Sequence, residues 1–531
     1  MIVLKKIQLL DCTLRDGAHL NKGFFGEKVI RETIKDLVEA NVDIIEVGFF
    51  DNGEHGLDES YFSSIAEVKK ILPKNTGRSK FSLMADFVDV SKVEPCDGTV
   101  EFFRLSFKRH RLEWGLNAAK ILMEKGYKCY INPVNCNVYS DEEYLQVIRR
   151  VNELKPYGFS IVDTFGVLRK QDLSRIYYLL EGNLDPDIVI GIHLHENLGL
   201  AYSLAQHFLE IRYPTRRVSV DCSLLGMGRV PGNLCAEQIM DHLNYNYGTD
   251  YNTEPALDAI DDYIAPIKKE IPWGYSIPYA LSGKYGIHRT YPEFLLKKNR
   301  LKTKDIQRLL SMVDKDHIEM FDEAYIEDLY RKYVSVSYDD SDSKTAFSTL
   351  MAGKNLVVLC PGSSLTKFRD QVREYIDQNR AFVISVNFTP AGFRTDCIFC
   401  ANAKRIPNLL ESRGALRLIT SNLIELVDEY DYAFSFNDAV YFSGAFCEDS
   451  TLMLLKVLRD CGCRELSIAG FDGFVEGAEN YYTQDYTRRD GRNVSVKEVG
   501  RILDTTLQDL SLRFLTPSAY ENERGKEAEN A

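Results

Sequence analysis

The chain has 531 residues, 45% apolar and 27% charged, the balance of a soluble globular protein with enough length for two cores. Its formal net charge of −13 argues against nucleic-acid binding, which needs a clustered basic face, and leaves a small-molecule substrate as the expected partner. No apolar run approaches the roughly 20 residues that span a bilayer, and the opening MIVLKKIQLLDCTL has the wrong order for a signal peptide. A cytoplasmic protein without disulfides is therefore expected, with Cys129, Cys222 and Cys360 as buried thiols.

In chain order, eight β-rich runs recur over about 230 residues: IQLLDCTL, DIIEVGFF, FSLMADF, EFFRLSF, YKCYINPVN, FSIVDTFGV, VIGIHLHEN and RVSVDCSLL. Each is followed by a stretch long enough for a helix, and GEKVIRETIKDLVEANV carries apolar residues at helical spacing. Strands alternating with helices predict an α/β fold with a parallel sheet, and eight such units predict a closed (β/α)8 barrel over residues 1–285. Residues 286–336 read as a helical extension ending in FDEAYIEDLYRKYV. Residues 337–353, opening with the acidic, serine-rich SYDDSDSKT, read as a linker. From residue 354 to 518 a new alternation begins with NLVVLCPGSSL and continues through AFVISVN, TDCIFCAN, LRLIT, YAFSFND, ELSIAGFDGF and LRFLTPS, which predicts an open Rossmann-like sheet. Residues 519–531 read as a disordered tail.

Barrel chemistry gathers at the C-terminal ends of strands. The first run ends in Arg15 and Asp16. The seventh carries His193 and His195, which the two-residue period of a strand puts on one face. Two histidines and a carboxylate from another strand make a divalent-metal site with positions open to an α-oxo acid. Taken singly, an H-x-H pair is commonly structural, Asp16 could be a helix cap and Arg15 a surface ion-pair partner. It is their joint placement at strand ends that favours a metal. Asn135 and Asp163 also fall at strand ends, with pocket-lining and structural roles equally open.

The stretches DCTLRDGAH, IEVGF, VDTFG, HLHENLGLA and DCSLLGMGRVPGN, in this order, resemble the metal-dependent aldolase and lyase superfamily. That superfamily includes 4-hydroxy-2-oxovalerate aldolase, hydroxymethylglutaryl-CoA lyase and the isopropylmalate synthases. The resemblance implies that Arg15 stabilises an enolate oxygen, that Asp16, His193 and His195 bind the metal (Mn2+ or Mg2+), and that Asn233 is an additional ligand. Ala18-His19 after R-D-G is similar to the aldolase branch, which implies His19 as general base and a 4-hydroxy-2-oxo acid cleaved to pyruvate and an aldehyde. A late tyrosine assists in that branch, and Tyr279 and Tyr291 are both candidates. The superfamily also implies a homodimer, with the oligomeric state left open.

The resemblance ends near residue 290. The second domain bears a looser similarity to nucleotide-binding domains of sialyltransferase-like and surface-polysaccharide proteins, which implies a nucleotide or nucleotide-sugar contacting Gly362, Ser363, Asn387 and Asp472, and a setting in modified-sugar synthesis. The alternative for LCPGSSL is an ordinary capped turn. Cys397 and Cys400 lie within the apolar run CIFC and read as core. Two other functions stand beside the aldolase: an acyl-CoA condensing or cleaving enzyme on the same barrel, and a non-catalytic nucleotide-binding regulator.

Overall fold

The computed structural model describes residues 7–298, 300–335, 337–412, 414–441, 448–473 and 496–523. The chain divides into two compact units, one of Met1–Arg289 with Asp314–Phe321, the other of Thr290–Val313 with Asp322–Ala531.

Eight parallel strands build the first unit: β1 (Ile7–Asp11), β2 (Ile44–Phe50), β3 (Lys80–Asp86), β4 (Phe102–Phe107), β5 (Lys128–Pro133), β6 (Gly158–Asp163), β7 (Val189–Leu194) and β8 (Val218–Cys222). Each pairs with the next, and β1 pairs with both β2 and β8, which closes the barrel. A two-residue strand, Tyr61–Phe62, adds to β2 from outside this ring. Every residue of β2, β6, β7 and β8 is buried, as a parallel sheet covered by helices on its outer face requires. The helix Glu27–Glu39 buries Ile30, Ile34, Leu37 and Val38 along one stripe and keeps its charges outward.

One local expectation is corrected. The first strand stops at Asp11, and Thr13–Asn21 forms a helix, α1. Asp11 turns the chain by accepting the Thr13 N–H at 2.9 Å and the Thr13 hydroxyl at 2.8 Å. Arg15 and Asp16 therefore stand on a helix rather than at the end of a strand.

The second unit holds β9 (Leu356–Leu359), β10 (Phe382–Val386), β11 (Cys397–Cys400), β12 (Leu416–Thr420), β13 (Tyr432–Phe434), β14 (Glu465–Ala469) and β15 (Ser511–Phe514). They form one parallel sheet in the order β13-β12-β11-β10-β9-β14-β15, so the chain reverses direction across the sheet between β9 and β14. Cys397 and Cys400 are buried in β11, as core residues. Two helices of the expected extension, Thr290–Lys297 and Thr303–Leu310, belong to this unit, as does Glu323–Val334. The buried Arg300 ties them to it, donating to the carbonyl oxygens of Ala401 and Glu448.

The expected linker is largely helical. Ser341–Met351 is a helix whose Phe347 and Met351, four residues apart, are buried. Serines and aspartates disguise that stripe in the sequence. Asp340 holds its start through the Ser435 N–H at 2.9 Å and Lys344 at 2.9 Å. Phe347 packs 5.2 Å from the Tyr432 ring and 5.7 Å from Phe434. Phe347→Ala is expected to destabilise this unit by about 3–5 kcal/mol in urea unfolding, whereas a linker residue would cost almost nothing. The segment expected as a tail begins with a helix, Ala519–Glu523, and its last eight positions lie outside the described residues.

Candidate active site

α1 begins where Thr13 Oγ1 also accepts the Leu224 N–H at 2.8 Å, fastening the helix to the loop after β8. The following turn carries Arg15 and Asp16, 6% and 1% exposed. Arg15 Nη1 donates to Asp16 Oδ2 at 2.8 Å and Arg15 Nε to Glu46 Oε2 on β2 at 2.6 Å. The same Glu46 oxygen accepts from Arg104 of β4 at 2.9 Å, and Arg104 Nη2 reaches Asp221 of β8. Asp221 Oδ2 in turn lies 3.1 Å from His193 Nδ1. Two arginines and three carboxylates thus alternate across the barrel interior, each charge buried against an opposite one. Buried charges persist only with such pairing.

His193 Nε2 lies 3.2 Å from His195 Nε2 and 3.2 Å from Asp16 Oδ2. Burial alone would raise the Asp16 pKa, but Arg15 and His193 outweigh it and hold the carboxyl well below its ordinary range. Burial would lower His193, yet its bonds to Asp16 and Asp221 raise it. His195 is pushed well below the ordinary value by burial and by the charge on His193.

The donors fit a divalent cation. Two imidazole nitrogens and a carboxylate oxygen face one another, and Asn233, bridged to His195 through the backbone, presents a buried Oδ1 with no hydrogen-bond partner. Such an orphaned oxygen is costly unless something else ligates it. Asp221 on Nδ1 gives His193 the orienting carboxylate that metal-bound histidines ordinarily have. Gly228 belongs to the same arrangement: a Cβ there would stand 2.2 Å from Asn233 Nδ2 and 3.1 Å from Asp16 Oδ1. Cys12 Sγ also lies within 4.8 Å of the Asp16 and His193 donor atoms. Burial raises its pKa and the thiol donates to the Cys222 carbonyl at 3.2 Å; as a soft donor it suits a hard cation less well than the carboxylate and imidazoles beside it.

His19 sits at the rim, exposed, its ring edge-on to Phe49 at 5.6 Å, and Phe49 stacks on Tyr61 at 5.3 Å. Although the ring reaches the surface, the protein around it desolvates it, which lowers its pKa; Asp16 opposes that shift, while Arg15, Arg229 and Arg289 add to it. Its pKa falls to about 4, so it is neutral at pH 7 and free to accept a proton.

The other expected residues divide. Asn135 takes a left-handed conformation (φ 60°) at the end of β5, donates its N–H to Thr164 Oγ1 at 2.8 Å and holds a buried Oδ1 without a partner. Asp163 accepts the N–H groups of Val167 and Leu168 at 2.9 and 3.1 Å, which closes the turn after β6 and gives it a structural role. Tyr279 is half-buried, and its carbonyl accepts from Ser282 Oγ at 2.7 Å. Tyr291 belongs to the second unit, fully buried, its hydroxyl accepting the Asp322 N–H at 3.2 Å, which is the packed-aromatic outcome.

In the second unit, Gly362 and Asp472 meet at the switch between β9 and β14. The Asp472 carboxylate accepts from the Ser364 N–H at 2.8 Å and from its hydroxyl. Gly362 donates to Gly470 O at 2.9 Å, and a Cβ there would stand 2.3 Å from that oxygen. Asn387 (φ 64°) donates its N–H to Phe399 O at 2.8 Å. The Ser363–Ser364 turn therefore meets a carboxylate where a phosphate would need donors, which favours the capped-turn reading over nucleotide contact.

The residues that sequence reading missed are Glu46, Arg104 and Asp221. Each is a lone charge inside an apolar strand run, a pattern that marks a buried functional or paired group.

The HMGL-like family model matches residues 6–261. A 4-hydroxy-2-oxovalerate aldolase of Geobacillus genomosp. 3 is 23% identical over 270 residues, covering 49% of this chain and 77% of that protein. The 4-hydroxy-2-oxovalerate aldolase 6 of Rhodococcus jostii is 25% identical over 275 residues, covering 49% and 74%. Among solved structures, the hydroxymethylglutaryl-CoA lyase of Pseudomonas aeruginosa is 16% identical, covers 50% of this chain and 95% of that one, and superposes with a TM-score of 0.40. The stretch that matches the HMGL-like family model contains the eight-stranded barrel.

Proposed function

We propose that the barrel is a divalent-metal-dependent aldolase that cleaves or forms a 4-hydroxy-2-oxo acid, with pyruvate and an aldehyde as the partners. The observation that carries this reading is the convergence of Asp16 and the two histidine Nε2 atoms beside Arg15, with His19 one helical turn away on α1. Asp16, His193 and His195 would hold the ion, with Asn233 Oδ1 as a further donor. When bound, Mn2+ or Mg2+ would supply Lewis-acid polarisation of the 2-oxo group.

The chain's own residues do the rest. His19 takes the proton of the 4-hydroxyl on a ring nitrogen. The O–H electron pair becomes the carbonyl of the departing aldehyde, the bond between carbons 3 and 4 breaks, and its electron pair flows onto the 2-oxo oxygen as an enolate. Arg15 has Nε and Nη1 committed to Glu46 and Asp16, which fixes its plane and leaves Nη2 to face that oxygen. A donor set in place before charge develops contributes most of such stabilisation. The proton that His19 holds, delivered to carbon 3, then releases pyruvate and restores the base. In the synthetic direction, His19 returns its proton to the new alkoxide.

The test needs no aldehyde. Purified protein, pyruvate and Mn2+ or Mg2+ in deuterated buffer should lose the pyruvate methyl proton signal by NMR. Asp16→Ala should abolish the exchange and lose Mn2+ binding in calorimetry. Absence of exchange in the unmodified protein with either ion would remove the pyruvate reading.

A further inference from the structure

We propose that the base His19 is positioned by a stack of three rings, Phe49, Tyr61 and His55, and that this stack sets the rate of proton transfer while leaving metal and pyruvate binding to other residues. This rests on the pyruvate aldolase reading and adds positioning residues to it.

A general base is ordinarily oriented by a further group that bonds it. Among the described residues no hydrogen bond holds the His19 ring, and its ring contact is Phe49, edge-on at 5.6 Å and 72°. Phe49 lies nearly parallel to Tyr61, with centroids 5.3 Å apart at 15°, and Tyr61 to His55, 5.4 Å apart at 27°. The far end is tied on both sides. His55 Nε2 lies 2.8 Å from Asp51 Oδ2, and its Nδ1 lies 3.1 Å from Glu59 Oε2. Burial would lower the His55 pKa, but its bonds to Glu59 and Asp51 raise it, and the protonated ring donates to both carboxylates.

The backbone builds this stack deliberately. Glu46 of β2 bonds Arg15 and Phe49 of β2 meets His19, and Arg15 and His19 stand four residues apart on one face of α1. In a regular strand, residues three apart point to opposite faces. A bulge between Glu46 and Gly48, where β2 slips its register against β3, adds the residue that turns both side chains toward α1. Phe49 then pairs in register with Tyr61 of the added two-residue strand, so the two rings share a face. The loop that carries the stack is laced to both ends of α1. Ser60 Oγ donates to Leu14 O at 3.0 Å and the Ser60 N–H to Gly23 O at 3.0 Å. Gly23 leaves room for the stack, because a Cβ there would stand 2.5 Å from Tyr61 Cε2. Asp16, His193 and Arg15 are held by the buried charge network instead, so the stack bears on the base alone.

The experiment uses the full chain with pyruvate and Mn2+ in deuterated buffer. In the reverse of its delivery to carbon 3, His19 takes the methyl proton, so the exchange rate reads the base directly. Phe49→Leu should lower the maximal exchange rate by about tenfold, the order of one lost aromatic contact that orients a reacting group. KM for pyruvate and Mn2+ affinity by calorimetry should change by less than about twofold, because neither depends on the stack. Tyr61→Leu should lower the maximal rate in the same way, and Tyr61→Phe, which keeps the ring, should recover most of it. The Cε1–H NMR resonance of His19, identified by its loss in His19→Gln, should shift in Phe49→Leu and Tyr61→Leu and return in Tyr61→Phe. Rates and resonance unchanged in both leucine variants, with exchange intact in the unmodified protein, overturn the stack alone. A parallel loss of Mn2+ affinity and rate also overturns it, since that marks a structural role. Failure of exchange in the unmodified protein overturns the aldolase reading and the stack with it. Tyr61 is only half-buried, so its two variants decide the matter even if Phe49→Leu fails to fold.

Discussion

Arg15→Gln is expected to slow metal-dependent deuterium exchange into pyruvate by about 100- to 1000-fold, the usual effect of removing one preorganised donor to an enolate or oxyanion. The guanidinium is clamped by Glu46 at 2.6 Å and Asp16 at 2.8 Å, so it arrives at the reaction already oriented. Glutamine keeps a donor but loses the charge and the fork. Cation binding should persist, because Asp16, His193 and His195 remain, and calorimetry with Mn2+ separates the two effects. Arg15→Lys should recover little, since a point charge cannot bond Glu46 and Asp16 while also facing the enolate. A loss below tenfold with the fold intact would remove Arg15 from the enolate role and leave it a structural clamp.

Arg104→Met is expected to cost about 3–5 kcal/mol of stability, the largest structural effect predicted for the barrel. Arg104 is 1% exposed and joins Glu46 on β2, the next strand but one, to Asp221 on β8, which three strands separate from β4 on the other side. Methionine fills the volume but leaves two buried carboxylates short of a cation. Urea unfolding measures the loss, and adding Asp221→Asn should return part of it by removing one uncompensated charge. The single variant should also weaken Mn2+ binding by about 10- to 100-fold, because Asp221 orients His193 through Nδ1. A change under about 1 kcal/mol would mean that the network relaxes without Arg104.

Both predictions rest on charges that are visible in the sequence one at a time. Glu46 interrupts IIEVGFF, Arg104 interrupts FFRLSF and Asp221 ends VSVDC. Nothing local says that they meet, because Glu46 and Arg104 are 58 residues apart and Arg104 and Asp221 are 117 apart. His193 and His195 are easier to read. A strand repeats every two residues, so their shared face follows from spacing alone. That Asp16 joins them from a helix, and Asn233 from a loop, does not follow from spacing.

What the chain declares locally is its periodicity. Eight apolar runs and then seven more, each separated by room for a helix or loop, call for two parallel sheets, because burial on both faces makes such strands apolar throughout. What it conceals is whatever depends on a distant partner. The helix at Thr13–Asn21 starts on an aspartate-threonine turn pinned to Leu224, and the helix at Ser341–Met351 hides two apolar residues among serines until Tyr432 and Phe434 cover them. Short-range preference is a few tenths of a kcal/mol per residue, whereas burying one aromatic side chain is worth a few kcal/mol, so packing overrides propensity wherever the two disagree.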